Sequence, residues 1–178
     1  MRRNGLILIV EDNSVDRELI QMCLRTAGVT ADVRLLADGA EAIAYLKGEG
    51  VYANREKHPF PTLIITDLKM PLADGFAVLD FLRTRGKAAM IPTIVFSGSS
   101  DPDDVRTAYA LGASSYITKP PTTDALCRCL RCIFDYWSLC ELPPRSASGE
   151  EIKTDSSGKL GERFSRAPFS SPPRDEAR

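Results

Sequence analysis

Short apolar runs alternate with segments of helical periodicity along the first 140 residues of the chain. Continuous apolar runs such as LILIV predict strands that are covered on both faces, while apolar residues three and four positions apart predict helices. The predicted strands cover residues 6–10, 33–37, 63–66, 92–97 and 115–118, and the predicted helices cover 13–28, 39–50, 76–86, 101–113 and 122–139. Five such units predict an α/β fold, a single domain with a doubly wound, five-stranded parallel sheet.

Residues that begin and end helices stand at the boundaries of these segments. Asn13 is expected to cap the first helix, and Gly28 and Gly86 are expected to end the first and third helices. The stretch 48–61, GEGVYANREKHPFP, is polar and longer than an ordinary connection. We expect a surface loop there, pinned to the body of the domain by Tyr52 and Phe60.

The character of the sequence changes after Pro143. Apolar residues make up 43% of the 178-residue chain, which is enough for the core of one domain, expected at 5–140. Residues 141–178 are dense in Ser, Pro, Gly and mixed charge, so they cannot bury enough surface to offset the entropy of ordering. We expect a disordered tail, which lacks the apolar-periodic segments that a DNA-binding output domain would need.

Charge and hydropathy limit the classes of partner. The formal net charge is −1, without the basic bias that is typical of nucleic-acid binders. No apolar run approaches the roughly 20 residues that a membrane-spanning helix needs. The apolar stretch Leu6–Val10 is too short for a signal peptide and runs directly into Glu11. We therefore expect a cytoplasmic protein that binds neither DNA nor membranes.

Four of the five cysteines lie in one segment, ALCRCLRCIFDYWSLC. Apolar residues in this segment follow helical spacing, which places Cys129 and Cys132 beside the buried face and Cys127 elsewhere. A zinc site would need four ligands converging from turns, and no second cluster is present. We favour packing and surface thiols over a metal or redox site, and the odd cysteine count fits a reduced protein.

Polar residues with matching chemistry follow four of the predicted strands. Glu11 and Asp12 follow the first strand, Asp67 the third, Ser97 ends the fourth, and Lys119 follows the fifth. Each residue alone has an ordinary explanation, such as a helix cap, a turn or a surface lysine. Because ligands of such sheets bind outside the carboxyl ends of the strands, their joint placement predicts one site.

Three carboxylates at one sheet edge repel each other strongly. A pair at ~4 Å costs about 4 kcal/mol at an effective dielectric of 20, and one lysine does not neutralise three acids. Mg²⁺ binds through one or two carboxylates plus phosphate oxygens, while hydroxyl and ammonium groups donate to phosphoryl oxygens. The residues therefore predict a metal beside a phosphoryl group, with Asp67 as a nucleophile that forms an acyl phosphate.

The motifs at these strand ends resemble the receiver domain of two-component response regulators. They are VEDN at 10–13, DLKMPLADG at 67–75, FSGS at 96–99 and SYITKP at 115–120, and the resemblance covers about residues 5 to 140. It implies a flavodoxin-like fold with strand order 2-1-3-4-5, in agreement with the pattern of apolar runs.

The resemblance also implies roles for individual residues. Asp67 matches the phosphoacceptor, Ser97 the switch hydroxyl, Tyr116 the switch aromatic residue, and Lys119 the lysine that binds the phosphoryl group. The implied Mg²⁺ ligands are Glu11, Asp12, Asp67 and the backbone carbonyl of Lys69, with Asp12 direct and Glu11 acting through water. The family pattern further implies a cis peptide bond between Lys119 and Pro120.

The long loop and the FDYW sequence near residue 135 resemble a narrower group, the small response regulators of bacterial phytochromes. This resemblance implies a sensor histidine kinase as partner and a homodimer formed through the C-terminal face. Two features depart from the family pattern: the cationic Lys69 beside the phosphorylation site, which could change the lifetime of the acyl phosphate, and the CRCLRC run on the last helix.

The function that we expect is phosphoryl transfer from a partner's phosphohistidine to Asp67, followed by a shift of the face made by the fourth helix, fifth strand and fifth helix. His58, the chain's own histidine, precedes a proline in a loop and has no such role. Three alternatives stay open. A phosphatase of the haloacid-dehalogenase type would require an acidic residue at the position of Lys69, and a flavin-binding module would require hydroxyl residues after the first strand. The third alternative is an adaptor that is never phosphorylated.

Overall fold

Five parallel strands form one sheet in this computed structural model, which describes residues 5–84 and 91–140. The strands are β1 (Ile7–Val10), β2 (Val33–Leu36), β3 (Leu63–Thr66), β4 (Thr93–Ser97) and β5 (Ser115–Thr118), in the order β2-β1-β3-β4-β5. The helices are α1 (Ser14–Thr26), α2 (Gly39–Lys47), α3 (Gly75–Thr84), α4 (Pro102–Ala110) and α5 (Thr123–Leu139). The predicted fold class, strand order and number of units are confirmed.

The three central strands are covered on both faces, which explains their continuous apolar sequences. Every residue of β1, β3 and β4 is buried. Ile7 and Ile9 of β1 join a cluster with α1 and α5, whereas Leu8 and Val10 join a cluster with α2 and α3. Alternate residues of one strand therefore fix helices on opposite faces of the sheet.

The helix boundaries follow local capping chemistry. The Asn13 side chain accepts hydrogen bonds from the backbone N–H groups of Val15 and Asp16, as expected for an N-cap. Gly28 lies just beyond α1 with φ of 65°. The second helix ends at Lys47, before residue 50, because Gly48 adopts φ of 74°, and a short 3-10 turn follows at Gly50–Tyr52. The predicted stop at Gly86 lies outside the described residues.

The long loop before β3 is tied to α2, as the sequence predicts. Tyr52 and Phe60 pack against the cluster that contains α2, and the Tyr52 hydroxyl donates to Glu41. The Arg55 guanidinium donates to the backbone carbonyls of Tyr45 and Leu46, each at 2.8 Å. Both carbonyls lie in the last turn of α2, where helix carbonyls lack regular intrahelical partners, and the Tyr45 carbonyl also accepts from the Gly48 N–H at 3.1 Å.

The prediction of reduced thiols is wrong for one pair of cysteines. Cys23 of α1 and Cys127 of α5 form a disulfide with their Cα atoms 4.7 Å apart. Cys127 does not point away from the core; it packs against the cluster between these helices. The partner was missed because it lies 104 residues away in sequence. Cys129, Cys132 and Cys140 are free.

Two further expectations concern the ends of the chain and membranes. The expected tail, 141–178, lies outside the described residues. Within the described residues, no helix is both long and apolar enough to cross a bilayer.

Candidate functional site

The carboxyl ends of β1 and β3 bring three carboxylates together. Backbone hydrogen bonds fix the register, because Glu11 N–H donates to the Leu36 carbonyl and Asp67 N–H donates to the Val10 carbonyl. Oxygen atoms of Glu11, Asp12 and Asp67 lie within 4.8 Å of one another. The predicted acidic cluster therefore exists, and its hard oxygen atoms suit a small divalent cation.

Lys119, just after β5, is the main counter-charge of this cluster. Its ammonium donates to Glu11 Oε2 at 2.7 Å, Asp67 Oδ2 at 2.7 Å and Asp16 Oδ2 at 2.9 Å. The Lys119 side chain is only 16% exposed, so these bonds form largely out of water. Asp16, in the first turn of α1, is a member of the site that sequence reasoning missed.

The pKa values of Glu11 and Lys119 are both raised, although burial acts on the two groups in opposite directions. Burial raises the pKa of Glu11 above its usual 4.5, although the hydrogen bond from Lys119 opposes this. Burial alone would lower the pKa of Lys119, but hydrogen bonds to Asp67, Glu11 and Asp16 outweigh it and raise that pKa. Lys119 is therefore a permanent cation at neutral pH.

The loop after β3 holds the Asp67 carboxylate in a fixed orientation. Asp67 Oδ1 accepts from the backbone N–H groups of Leu68 at 2.5 Å and Lys69 at 3.3 Å. Gly75 permits this loop to close, because a Cβ atom there would lie 2.2 Å from the Asp67 carbonyl oxygen. The motif DLKMPLADG therefore folds back on itself, so that its last residue, Gly75, packs against the backbone of its first residue, Asp67.

The remaining predicted residues lie on the β4 and β5 side of the site. Ser97 is fully buried at the end of β4, and its Oγ accepts from Ser99 N–H at 3.4 Å. The Tyr116 hydroxyl donates to the Ser99 carbonyl at 2.9 Å. Ser99, which was not singled out in the sequence, therefore links the two predicted switch residues.

The side chain of Lys69 extends away from the acidic cluster. Its ammonium pairs with Asp104 Oδ2 of α4 at 2.8 Å, and the same oxygen accepts from Ser99 Oγ at 2.6 Å. Asp104 was not identified from the sequence, because an acidic residue in the first turn of a helix is common and favourable in its own right.

The expected cis bond between Lys119 and Pro120 is absent. None of the peptide bonds within 5–84 and 91–140 is cis, so this bond adopts the trans form, which is intrinsically favoured by about 0.5–1 kcal/mol for residues before proline. Lys119 reaches all three of its carboxylate partners with this backbone.

A cavity of about 150 Å³ opens beside Lys119, between α1 and the start of α5. Its lining combines Asp16 and Lys119 with apolar side chains of Leu19, Pro120 and Leu126. The charged cluster is therefore bordered by a partly apolar recess.

Comparison with known proteins gives the same assignment. The family model described as the response regulator receiver domain matches residues 7–131. The chain is 34% identical over 132 residues to the response regulator Rcp1 of Synechocystis, which covers 74% of this chain and 88% of Rcp1.

Solved structures agree with this relationship. The phosphorylated cyanobacterial phytochrome response regulator RcpA matches with 37% identity and a TM-score of 0.73, covering 79% of this chain and 99% of RcpA. The Mn²⁺-bound form of Rcp1 matches with 33% identity and a TM-score of 0.71, covering 79% and 99% of the two chains. With the sheet order and the acidic cluster, these matches show that the chain belongs to the response regulator receiver domain family.

Proposed function

We propose that this chain is a response regulator that accepts a phosphoryl group on Asp67 from the phosphohistidine of a sensor kinase. The observation that carries the proposal is the setting of Asp67, whose side chain is 9% exposed, bonded to Lys119 and adjacent to Glu11 and Asp12. Residues 5–140 are the receiver domain in this proposal, and 141–178 are a tail beyond it.

The same residues form the proposed Mg²⁺ site. Glu11, Asp12 and Asp67 would hold the ion together with the backbone carbonyl of Lys69. Their clustered carboxylates support this assignment, since one ammonium offsets only part of their charge. Bound Mg²⁺ would neutralise carboxylate charge and coordinate oxygens of the incoming phosphoryl group.

The chemical step is a displacement at phosphorus. An oxygen of the Asp67 carboxylate forms the new bond to phosphorus, while the phosphorus–nitrogen bond to the kinase histidine breaks and its electron pair returns to the imidazole. The backbone N–H groups of Leu68 and Lys69 hold the other Asp67 oxygen. Lys119 and the Ser97 hydroxyl stabilise negative charge on the phosphoryl oxygens.

Phosphorylation is proposed to act on the face that includes α4 and β5. The Ser97 hydroxyl would turn toward the phosphoryl group and away from Ser99 N–H. Tyr116, bonded to the Ser99 carbonyl, would follow this change. The populations of two arrangements of this face would then shift.

The chain is proposed to act in the cytoplasm with a sensor histidine kinase as its partner, and a bacterial phytochrome is the specific candidate. The similarity to Rcp1 and to the phytochrome response regulator RcpA supports this choice. The recess beside Lys119 supports docking of a phosphohistidine-bearing helix near Asp67. Phosphotransfer from a red-light-regulated phytochrome kinase, compared with an unrelated histidine kinase, tests the candidate.

We also propose that the chain forms a homodimer through its C-terminal face. Tyr136 and Leu139 of α5 are 67% and 83% exposed, which leaves apolar surface at the end of this helix. Sedimentation of the wild-type chain should give a dimer, and replacing Tyr136 and Leu139 with serine should give a monomer. A monomeric wild-type chain would exclude this assembly, and DNA binding plays no part in it.

The variant Asp67→Asn tests the proposed phosphoacceptor. Acetyl phosphate and Mg²⁺ should label the wild-type chain, and labelling of the variant should fall more than ~100-fold because the nucleophilic oxygen is lost. Asp74→Asn is a matched control in the same loop, where the exposed side chain only caps the start of α3. Full labelling of Asp67→Asn would exclude Asp67 as the phosphoacceptor. Absence of labelling in the wild-type chain and in both variants would favour an adaptor that is never phosphorylated.

A further inference from the structure

Lys69 connects the phosphoacceptor loop to helix α4. Its backbone N–H donates to Asp67 Oδ1 at 3.3 Å, while its ammonium lies 2.8 Å from Asp104 Oδ2. The Lys69 side chain is 62% exposed and the Asp104 side chain 16% exposed. Lys69 therefore contacts both Asp67, the proposed site of phosphorylation, and helix α4.

Asp104 is also bonded to the loop that carries the proposed switch residues. Its Oδ2 accepts from Ser99 Oγ at 2.6 Å, and the Ser99 carbonyl accepts from the Tyr116 hydroxyl at 2.9 Å. Ser99 N–H contacts Ser97 Oγ at 3.4 Å. A change at Asp104 would therefore reach Ser97 and Tyr116 through a single intervening residue.

The two lysines near Asp67 differ in how strongly they are held. Lys119 is shared among Glu11, Asp16 and Asp67, so it has little freedom to leave. Among the described residues, Lys69 pairs with one carboxylate, that of Asp104, and its own end of the pair is exposed to water, which weakens the ion pair and lets the ammonium exchange partners. A phosphoryl group on Asp67 would add a charge of about −1.5 to −2 and strong acceptor oxygens, which compete with Asp104 for the Lys69 ammonium.

Helix α4 has little buried apolar surface of its own. Of its residues only Ala108 is buried, so apolar packing contributes little to its position. Asp101, which caps the helix, is itself bonded through its N–H to Ser99 Oγ. Among the described residues, release of Asp104 by Lys69 would leave Ser99 as the side-chain hydrogen-bond partner that holds the start of α4 from outside the helix.

We propose that Lys69 and Asp104 form a charge-exchange latch. Phosphorylation of Asp67 draws the Lys69 ammonium from Asp104 to the phosphoryl oxygens, and the loss of this ion pair releases the start of α4 and the Ser99 loop. Lys69 is thus a positioning residue that transmits phosphorylation to the α4 and β5 face. The latch rests on the proposed function, since it needs a phosphoryl group on Asp67.

The test follows backbone amide signals of the full chain by NMR before and after treatment with acetyl phosphate and Mg²⁺. Phosphate incorporation is measured separately by intact mass. In the wild-type chain, the amides of Asp104 and Val105 should shift on phosphorylation. The shifts are divided by the amount of phosphate that each variant incorporates, because Lys69 also contributes backbone groups to the site. In Lys69→Met these normalised shifts should fall at least twofold, and Lys69→Arg, which keeps the charge, should restore them.

Asp104→Asn should have the complementary effect. Before treatment, the amide signals of α4 in this variant should already lie near the positions that the wild-type chain shows after phosphorylation, because the ion pair is gone. Asp103→Asn is the matched control, since Asp103 belongs to the same helix and pairs with exposed Arg106 at 3.1 Å; it should behave like the wild-type chain.

Two results would overturn the latch in distinguishable ways. Unchanged α4 shifts in Lys69→Met, with phosphate incorporated, would refute the latch and leave the proposed function intact. Absence of incorporation in the wild-type chain would refute the proposed function, and the latch with it.

Discussion

Helices α5 and α4 flank β5, yet different forces hold them in place. Helix α5 buries five side chains and is joined to α1 by the Cys23–Cys127 disulfide. Helix α4 buries only Ala108, and its Asp104 is held by Lys69 and Ser99. Apolar burial is large and indifferent to the phosphoryl group, whereas polar contacts can change partners. The α1–α5 side can therefore fix the site while the α4 side responds to it.

Breaking the disulfide should give the largest loss of stability. The bond closes a separation of 104 residues, for which loop entropy gives about 4.7 kcal/mol. Urea unfolding of Cys127→Ala without reductant should show this decrease in the free energy of unfolding. Cys132→Ser, at an exposed free cysteine, is the control and should match the wild-type chain. If the urea midpoint of the wild-type chain were the same with and without reductant, a stabilising disulfide between Cys23 and Cys127 would be contradicted.

The next largest loss of stability is expected from truncating one core residue of α5. Leu130 is 1% exposed, and Leu→Ala changes at such sites cost about 3 kcal/mol through lost burial and a residual cavity. Chemical unfolding of Leu130→Ala measures this decrease. A loss well below 1 kcal/mol would mean that α5 is not anchored by its apolar face.

The equivalent truncation on α4 should have a much smaller effect. Tyr109 is 50% exposed, and its hydroxyl accepts from Tyr116 N–H at 3.2 Å. Tyr109→Ala should therefore lower the free energy of unfolding by about 1 kcal/mol, measured under the conditions used for Leu130→Ala. Equal losses for the two variants would remove the contrast between the helices.

The smallest expected effect is a change in the titration of Asp104. Hydrogen bonds from Lys69 and then Ser99 hold the pKa of Asp104 below its usual 3.8. The stabilisation from its ionised form is therefore present above pH 3.8 and is lost as the pH falls through the lowered pKa. In Lys69→Met the Asp104 pKa should rise, as carboxyl-carbon NMR shifts against pH will show. Arg106→Met should leave the titration unchanged; an unchanged pKa in Lys69→Met would show that the ion pair is not formed in solution.

Much of this arrangement follows from local sequence patterns. Continuous apolar runs predict the buried strands, and the residues just beyond β1, β3 and β5 predict the site because parallel strands end at one edge. Contacts between distant elements carry no such pattern. Asp16 looks like an ordinary acidic residue at a helix start, the partner of Cys127 lies 104 residues away, and the Lys69–Asp104 pair depends on how α4 lies against the β3 loop.

The bridge between Cys23 and Cys127 makes a closed covalent ring of the chain between them. Asp67, Ser97 and Lys119 lie within this ring, while Glu11 and Asp12 precede it. A protease that cut the loop at 48–61, where Val51 is 76% exposed, would open the ring without releasing either piece. The nicked fragments should migrate together on a gel until a reductant separates them.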